Sequence, residues 1–380
     1  MQNIPFNKPF IVGKELYYIS QAVLSNQHLA GNGDFTKLCQ KWIEEKFHCA
    51  KSLLTHSCTA ALEMAAILCD IGAGDEIIMP SYTFVSTANA FVLRQGVPVF
   101  VDIRPDTLNI DEKKIEAAVT PRTKAIVPVH YAGYPCAMDQ IIEIAKKFKL
   151  YVIEDAAQAF LLTYKIKQLG TIGDLGTFSF HETKNIISGE GGALLINNPK
   201  FVERSEIIWE KGTNRNEFFR GEIDKYTWVD IGSSYLPSEL IAAFLYAQLE
   251  HAEKISNKRK TLHNHYKELL KDLQHRGVIG LPQNNPEIGE NSGHLFYVLT
   301  KTFEQRTRLI AHLQKNGIHS VFHYVPLHSS PAGKKFCRTN GELTVTVDIS
   351  NRILRLPLYF EMSDRDVEKV ADCIRDFYNK

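Results

Sequence analysis

No apolar run in the 380-residue sequence approaches the length a membrane-crossing helix needs, about 20 residues. Cysteine is sparse and scattered. Cys39, Cys49, Cys58, Cys69, Cys136, Cys337 and Cys373 are odd in number and form no CxxC pair, which argues against a disulfide framework or a zinc knuckle. Charge of one sign is lacking too. The 44 Lys and Arg nearly balance 43 Asp and Glu, so a formal net charge of +1 gives no footing for nucleic acid or an anionic membrane. The opening MQNIPFNKPFIVGKE has no basic stretch followed by an apolar one, so no secretory leader is expected and a reducing cytoplasm is the expected location. No GxGxxG follows the first strand, which disfavours a dinucleotide-binding dehydrogenase, and no internal repeat or low-complexity segment is present.

What is present is an ordinary globular composition, 44% hydrophobic and 23% charged, in a chain long enough for a large domain and a smaller one. Apolar runs at 52–55, 76–80, 97–102, 123–130, 150–155, 175–180 and 192–197 read as strands covered on both faces. Helical spacing at 59–71, 111–119 and 138–149 separates some of them, which predicts an α/β domain with a mainly parallel sheet flanked by helices. Residues 238–274 read as one long helix leading away from it. After the Pro/Asn/Gly-rich break at 281–293, a strand at 294–300, a helix at 304–317, the segment 318–325 and a closing helix at 363–378 form an α+β module. The expected domains are therefore 1–245 and 246–380.

Ligands of an open parallel sheet bind beyond the carboxyl ends of its strands, and four such ends carry chemistry here. LLTHSCTAALEMAA runs from strand into helix. Ser57, Cys58, Thr59 and Ala60 there offer hydroxyls and free backbone N–H groups, as a cradle for phosphate or as a plain N-cap. IMPSYTFVSTANA puts Tyr82 and Phe84 past a strand, where an aromatic stacks on a planar ligand or joins the core. LYVIEDAAQAF ends in Glu154 and Asp155, whose burial is costly without a positive partner or the amides of a helix start. In TFSFHETKNIISGEGG, Lys184 follows a strand end and precedes glycines that let the chain turn. In a water-poor pocket such an amine loses its proton and attacks carbonyls. Together these four ends supply what pyridoxal 5′-phosphate (PLP) requires: donors for the phosphate, a flat face for the ring, a carboxylate for the pyridinium N–H and an amine for the aldehyde.

The sequence also resembles, essentially end to end, the DegT/DnrJ/EryC-type sugar nucleotide aminotransferases of the fold-type I PLP enzymes. GDEIIMPSYTFVSTANA, VPVHYAG, VIEDAAQA, FSFHETKN, GEGGALL, KGTNR and FHYVPLH carry the likeness. The resemblance implies that Lys184 bonds the cofactor aldehyde, that Asp155 pairs with the pyridinium nitrogen and that Gln158 contacts the ring hydroxyl. Phe84 would stack on the ring, and Thr59, Ala60 and Ser179 would hold the phosphate with backbone donors from Ser57 or Cys58. His181, on the same strand face as Ser179, would lie near cofactor or sugar. His323, Tyr324 and His328 become candidates for the sugar-diphosphate side, and Arg215 and Arg220 for a carboxylate or diphosphate. Many members carry an asparagine that reaches the partner subunit's phosphate. Here GSSYLPSEL offers Ser234 instead, with a shorter reach.

The implied reaction moves nitrogen from L-glutamate to a dTDP-linked 4-keto-6-deoxy sugar, in surface-polysaccharide biosynthesis. The implied assembly is a homodimer with shared active sites and residues 210–235 reaching into the neighbour. Rival readings are amination at C3 or from the opposite face of the sugar, and a non-catalytic binding protein on the same scaffold. The intact Lys, Asp, Gln and Ser set argues against the last. Relatives that remove the sugar 3-hydroxyl have histidine where this chain has Lys184.

Overall fold

Each apolar run of the first half forms a strand because its two faces are both covered. The computed structural model describes residues 3–283, 289 and 291–379, so 284–288 and 290 of the expected break lie outside the described residues. The strands are β1 Lys51–Thr55, β2 Glu76–Pro80, β3 Val97–Val101, β4 Thr123–Ile126, β5 Tyr151–Asp155, the hairpin β6 Thr163–Tyr164 and β7 Lys167–Gln168, β8 Leu175–Ser179 and β9 Gly192–Ile196. Later come β10 Phe296–Leu299, β11 Arg338–Thr339 and β12 Ile353–Leu356.

Eight strands make the central sheet in the order β1-β9-β8-β5-β4-β2-β3-β11. Only β9 runs antiparallel to its neighbours, while the other pairings are parallel. Alternate residues pack into two different cores. Leu54, Ile78, Val99, Val152 and Leu195 join one with the helices Asp34–Phe47, Met138–Phe148 and Glu239–Leu249. Leu53, Ile77, Phe100, Ile153 and Leu194 join another with the helix Cys58–Leu68. Two buried faces explain why these strands read as continuous apolar runs.

A third core holds the C-terminal part. The antiparallel pair β10 and β12 packs there with the helices Ala252–His275, Phe303–Lys315 and Asp364–Tyr378. The chain crosses between these bodies more than once. Ile4 is buried in the third core and bridges to Ile318, and β11 adds to the edge of the central sheet beside β3.

Three local expectations are corrected. The single helix over 238–274 is two, Glu239–Leu249 and Ala252–His275, because its apolar positions serve different cores: Ala242 and Leu245 the first, Leu262 and Tyr266 the third. The expected helix at 111–119 is a pair of 3-10 turns, Glu112–Lys114 and Glu116–Ala118, opened by Asp111 capping the Lys113 N–H at 3.1 Å. The strand expected over 123–130 ends at Ile126. Pro128 has no N–H to donate to a ladder, and beyond Ile126 the segment keeps the Val127 N–H bond to the Ile78 carbonyl at 2.8 Å and the bridge from Val129 to Asp155.

Candidate active site

A cavity of about 580 Å³ opens at the carboxyl ends of β5 and β8, on the face covered by the helix Cys58–Leu68. Strand register brings its floor together. Thr55 at the end of β1 pairs with Gly192, and Gly192 pairs on its other side with Ser179 at the end of β8. This close packing requires glycine. A Cβ on Gly192 would sit 2.4 Å from the Cys58 nitrogen and 2.5 Å from the Ser57 carbonyl carbon. The β9 backbone therefore lies directly under the first turn of the helix.

That turn presents donors to the cavity. Ser57 is the N-cap, its Oγ accepting the Ala60 N–H at 3.1 Å, and Thr59 Oγ1 lies 2.7 Å from Ser86 Oγ. Ser57, Cys58, Thr59 and Ser179 line the cavity. Burial, reinforced by Asp155, pushes the Cys58 thiol up to about 12. It is therefore a neutral packing group rather than a nucleophile.

The two carboxylates at the end of β5 point to opposite faces of the sheet, as strand alternation requires. Glu154 is fully buried away from the cavity. It accepts the N–H groups of Gly170 at 2.9 Å, Ile172 at 2.6 Å and Gly173 at 2.7 Å, and lies 3.0 Å from His130 Nε2. His130 Nδ1 accepts the Cys136 N–H at 3.1 Å, so its proton sits on Nε2 and is given to Glu154. Asp155 faces the cavity. One oxygen accepts from Thr87 Oγ1 at 2.7 Å and the other from the Ala157 N–H at 3.2 Å, which leaves acceptor capacity on a buried carboxylate.

Lys184 enters the same cavity. Its backbone N–H closes a turn on the His181 carbonyl at 2.8 Å. Burial holds its amine below the ordinary lysine pKa, opposed by Cys58 and Asp155 and assisted by the positive charge of Arg355. Gln158 is anchored, its Oε1 accepting the Ala132 N–H at 2.7 Å and its Nε2 lying 3.3 Å from the Tyr324 hydroxyl.

The opposite wall comes from distant parts of the chain. His323 Nδ1 lies 2.9 Å from the Tyr131 hydroxyl, and the His323 carbonyl accepts from Tyr82. Burial, with Arg355 and Lys184 nearby, holds His323 well below the usual histidine range, so it is a neutral ring. Tyr324 packs edge-on to Tyr82 and Tyr131. Phe84 is exposed at the rim, with its ring 6.3 Å from that of Tyr324. His181 is partly exposed at the mouth, where Nδ1 lies 2.9 Å from Thr183 Oγ1 and Nε2 lies 3.7 Å from Glu190.

The structure does not bring five of the sequence candidates into this cavity. Ala60 is buried behind its wall, with its N–H spent on Ser57 Oγ. His328 is held by Ser81, 2.7 Å from Nδ1. Arg220 is paired with Glu206 at 2.6 Å and Glu222 at 2.9 Å. Arg215 lies over Phe219 with Glu210 at 3.9 Å, and Ser234 is exposed and bridged to Glu210. Sequence reading missed Thr87, Tyr131, Phe6, Arg259, His294 and Arg355. Arg355 had a signal, as a lone charge inside the apolar ILRLPL. Phe6 had none.

A sheet with an amine, a carboxylate and a phosphate-type donor turn at adjoining strand ends defines a PLP-dependent transferase. A family model of the DegT/DnrJ/EryC1/StrS aminotransferases matches residues 11–375. The chain belongs to that family, and it is a PLP-dependent aminotransferase acting on sugar nucleotides. It is 36% identical to the uncharacterized protein MJ1066 of Methanocaldococcus jannaschii, across 90% of this chain and 88% of that one. It is 31% identical to the GDP-perosamine synthase of Escherichia coli O157:H7, across 100% of both. Among solved structures, the aminotransferase TlmJ from Streptoalloteichus hindustanus superposes with a TM-score of 0.91 at 26% identity, covering 100% of this chain and 99% of that one.

Proposed function

We propose that the chain moves the amino group of L-glutamate to C4 of dTDP-4-keto-6-deoxy-D-glucose, giving dTDP-4-amino-4,6-dideoxy-D-galactose and 2-oxoglutarate. The observation that carries the chemistry is Lys184: a half-buried amine with a depressed pKa, sharing its cavity with a carboxylate that keeps free acceptor capacity. The residues present fit PLP. Ser57, Thr59 and Ser179 would hold its phosphate, Asp155 its ring nitrogen and Gln158 its hydroxyl, with Phe84 over the ring. When bound, PLP supplies the electron sink that lets nitrogen leave one carbon and join another.

The chain's own groups do the rest. Lys184 Nζ, once free, takes the proton from the α-carbon of the donor and later delivers one to the sugar carbon. Asp155, held by Thr87 and Ala157, keeps a negative charge where a protonated ring nitrogen needs one. Neutral His323 and the tyrosines exclude water, and His181 stands at the mouth for the sugar. We assign the active assembly to a homodimer. Leu16, Leu24, Phe219 and Trp228 are large apolar side chains left exposed, which supports burial against a second copy. In it Ser234, Arg215 and Arg220 would serve the neighbouring site rather than their own.

The choice of sugar rests on the motif likeness of FSFHETKN and KGTNR. A GDP-linked 4-keto-6-deoxy sugar is the second reading, favoured by full-length similarity to a GDP-perosamine synthase. Incubation with L-glutamate and each keto sugar in turn should yield a 4-amino product only from the dTDP form, with an H4 coupling of the galacto type by NMR. A gluco coupling, a 3-amino product or turnover of the GDP sugar alone would overturn the assignment.

A further inference from the structure

Strand pairing fixes the backbone of Asp155 on both sides. Its N–H bonds the Pro128 carbonyl at 2.9 Å, its carbonyl accepts the His130 N–H at 3.1 Å, and it lies opposite Thr177 of β8. None of this fixes the plane of its carboxylate, because the last torsion of an aspartate is broad and roughly two-fold. Its neighbour Glu154 is held by four donors. Asp155 has two, the Ala157 N–H at 3.2 Å on one oxygen and the Thr87 hydroxyl at 2.7 Å on the other. Ala157 belongs to the same short stretch of chain, whereas Thr87 comes from a separate element, the helix Val85–Val92.

Thr87 is fully buried, and its hydroxyl is directed by a second one. Thr83 Oγ1, on a residue that is also buried, lies 2.8 Å from Thr87 Oγ1, and both residues line the cavity. A threonine in a helix divides between two rotamers, since its hydroxyl can turn back to a carbonyl three or four residues earlier. For Thr87 those carbonyls belong to Phe84 and Thr83, and that of Phe84 already takes the Thr87 N–H at 3.2 Å. An ionised carboxylate only accepts, so the Thr87 proton is given to Asp155 and the Thr87 oxygen accepts the proton of Thr83. The two hydroxyls thus point one way, each polarising the next.

We propose that Thr87 is a positioning residue for Asp155, and that Thr83 holds Thr87 in the rotamer that lets it act. The relay sets the plane of the carboxylate so that its unused acceptor capacity faces the cavity, where the ring N–H of PLP is to be met. This rests on the pairing of Asp155 with the ring nitrogen stated above. A packing role alone needs no hydroxyl. Valine has the shape of threonine, and a hydroxyl is costly to bury unless it is bonded. Two hydroxyls four residues apart, aligned on one carboxylate, are explained by what that carboxylate must do. With its plane free to turn, the ring nitrogen would spend part of its time without a partner, and the electron sink would weaken.

The test compares wild type, Thr87→Val, Thr87→Ser, Thr83→Val and Asp155→Asn, each loaded with PLP isotopically labelled at the ring nitrogen. The NMR shift of that nitrogen reports its protonation, and stopped flow follows the bleaching of visible absorbance by L-glutamate. Asp155→Asn should move the resonance toward that of an unprotonated ring, and Thr87→Val should move it in the same direction by a smaller amount. In Thr87→Val the limiting bleaching rate should fall by about 10-fold, while the half-saturating glutamate concentration changes by less than about 3-fold, because only the sink is weakened. Thr83→Val should cost about 3-fold with the same signature. Thr87→Ser, which keeps the hydroxyl, should recover most of the loss. A loss that Thr87→Ser does not relieve overturns the proposal. If Thr87→Val does not fold, Thr83→Val decides, since a wild-type resonance and rate in it remove the relay. A wild-type resonance in Asp155→Asn sinks the pairing of Asp155 with the ring, and the relay with it. A moved resonance there and an unmoved one in Thr87→Val sink the relay alone.

Discussion

The two walls of the cavity are made in different ways. One consists of strand ends and the turns that follow them: Ser57 and Cys58 after β1, Asp155 closing β5, Ser179 closing β8 and Lys184 just beyond. Their spacing is set by backbone pairing, Thr55 to Gly192 to Ser179 and Asp155 to Thr177. The other wall gathers Phe6, His294, His323, Tyr324 and Arg355 from segments far apart in the chain, joined mainly by side-chain contacts and bridges. The groups proposed to make and break bonds sit where the sheet holds register tightly. Groups suited to recognising a substrate sit where a change of residue does not disturb that register.

The comparison can be broken at several points. The largest effect belongs to Lys184→Ala, which should lower turnover by at least ~10³-fold in a steady-state assay. Borohydride reduction of the wild type should fix the cofactor on Lys184, and label recovered from another lysine would move the chemistry elsewhere. The paired carboxylates give the next contrast. Asp155→Asn should cost about 10²-fold or more in kcat and scarcely move the urea midpoint. Glu154→Gln would set its amide nitrogen either against the Gly170 N–H and His130 Nε2 or against the Ile172 and Gly173 N–H groups, so it should cost roughly 3 kcal/mol of stability and change kcat per folded molecule only a few-fold. Exchange of those two phenotypes would mean that the cavity has been assigned to the wrong face of the sheet.

The smallest effect concerns the tie between the β11 edge and the sheet. Burial of Glu76 favours its protonated form, but hydrogen bonds from Arg338, Thr120 and Arg122 outweigh that and bring the carboxyl down to about 2. The native pKa lies below the ordinary value of 4.5, so the stabilisation is complete above that value and is lost as pH falls toward about 2. Thermal midpoints recorded on acidification should decline over that range in the wild type and more shallowly in Glu76→Gln. Identical acid limbs would show that the Arg338 contact contributes nothing.

Much of the first wall was legible because its residues sit within a few positions of strands that announce themselves by apolar runs. Ser179 and Asp155 share the helix-covered face by parity alone, since Thr177 lies opposite Asp155 and Leu175 opposite Ile153. Parity also separates Glu154 from Asp155, although which of the two meets a ligand required seeing where Gly170 and Gly173 fold back. The long helix at 238–274 misled because its two halves are each helical, and only the change of core partner divides them. Arg215 and Arg220 looked available as ligands. Their acidic partners Glu206, Glu210 and Glu222 are nearby in sequence, but no spacing rule selects them.

By itself the sequence determined a two-faced, mainly parallel sheet and the order in which an anion cradle, a carboxylate and an amine arrive at its strand ends. These follow from local periodicity and from residues adjacent to strand termini. Only the tertiary structure decided that Gly192 must be glycine, that Glu154 is spent on backbone amides while Asp155 opens to the cavity, and that Arg355 rather than Arg215 or Arg220 lines it. Each of those depends on atoms brought close by packing between distant segments, where the charge, burial and partners of a side chain are set by its surroundings rather than by its neighbours in the chain.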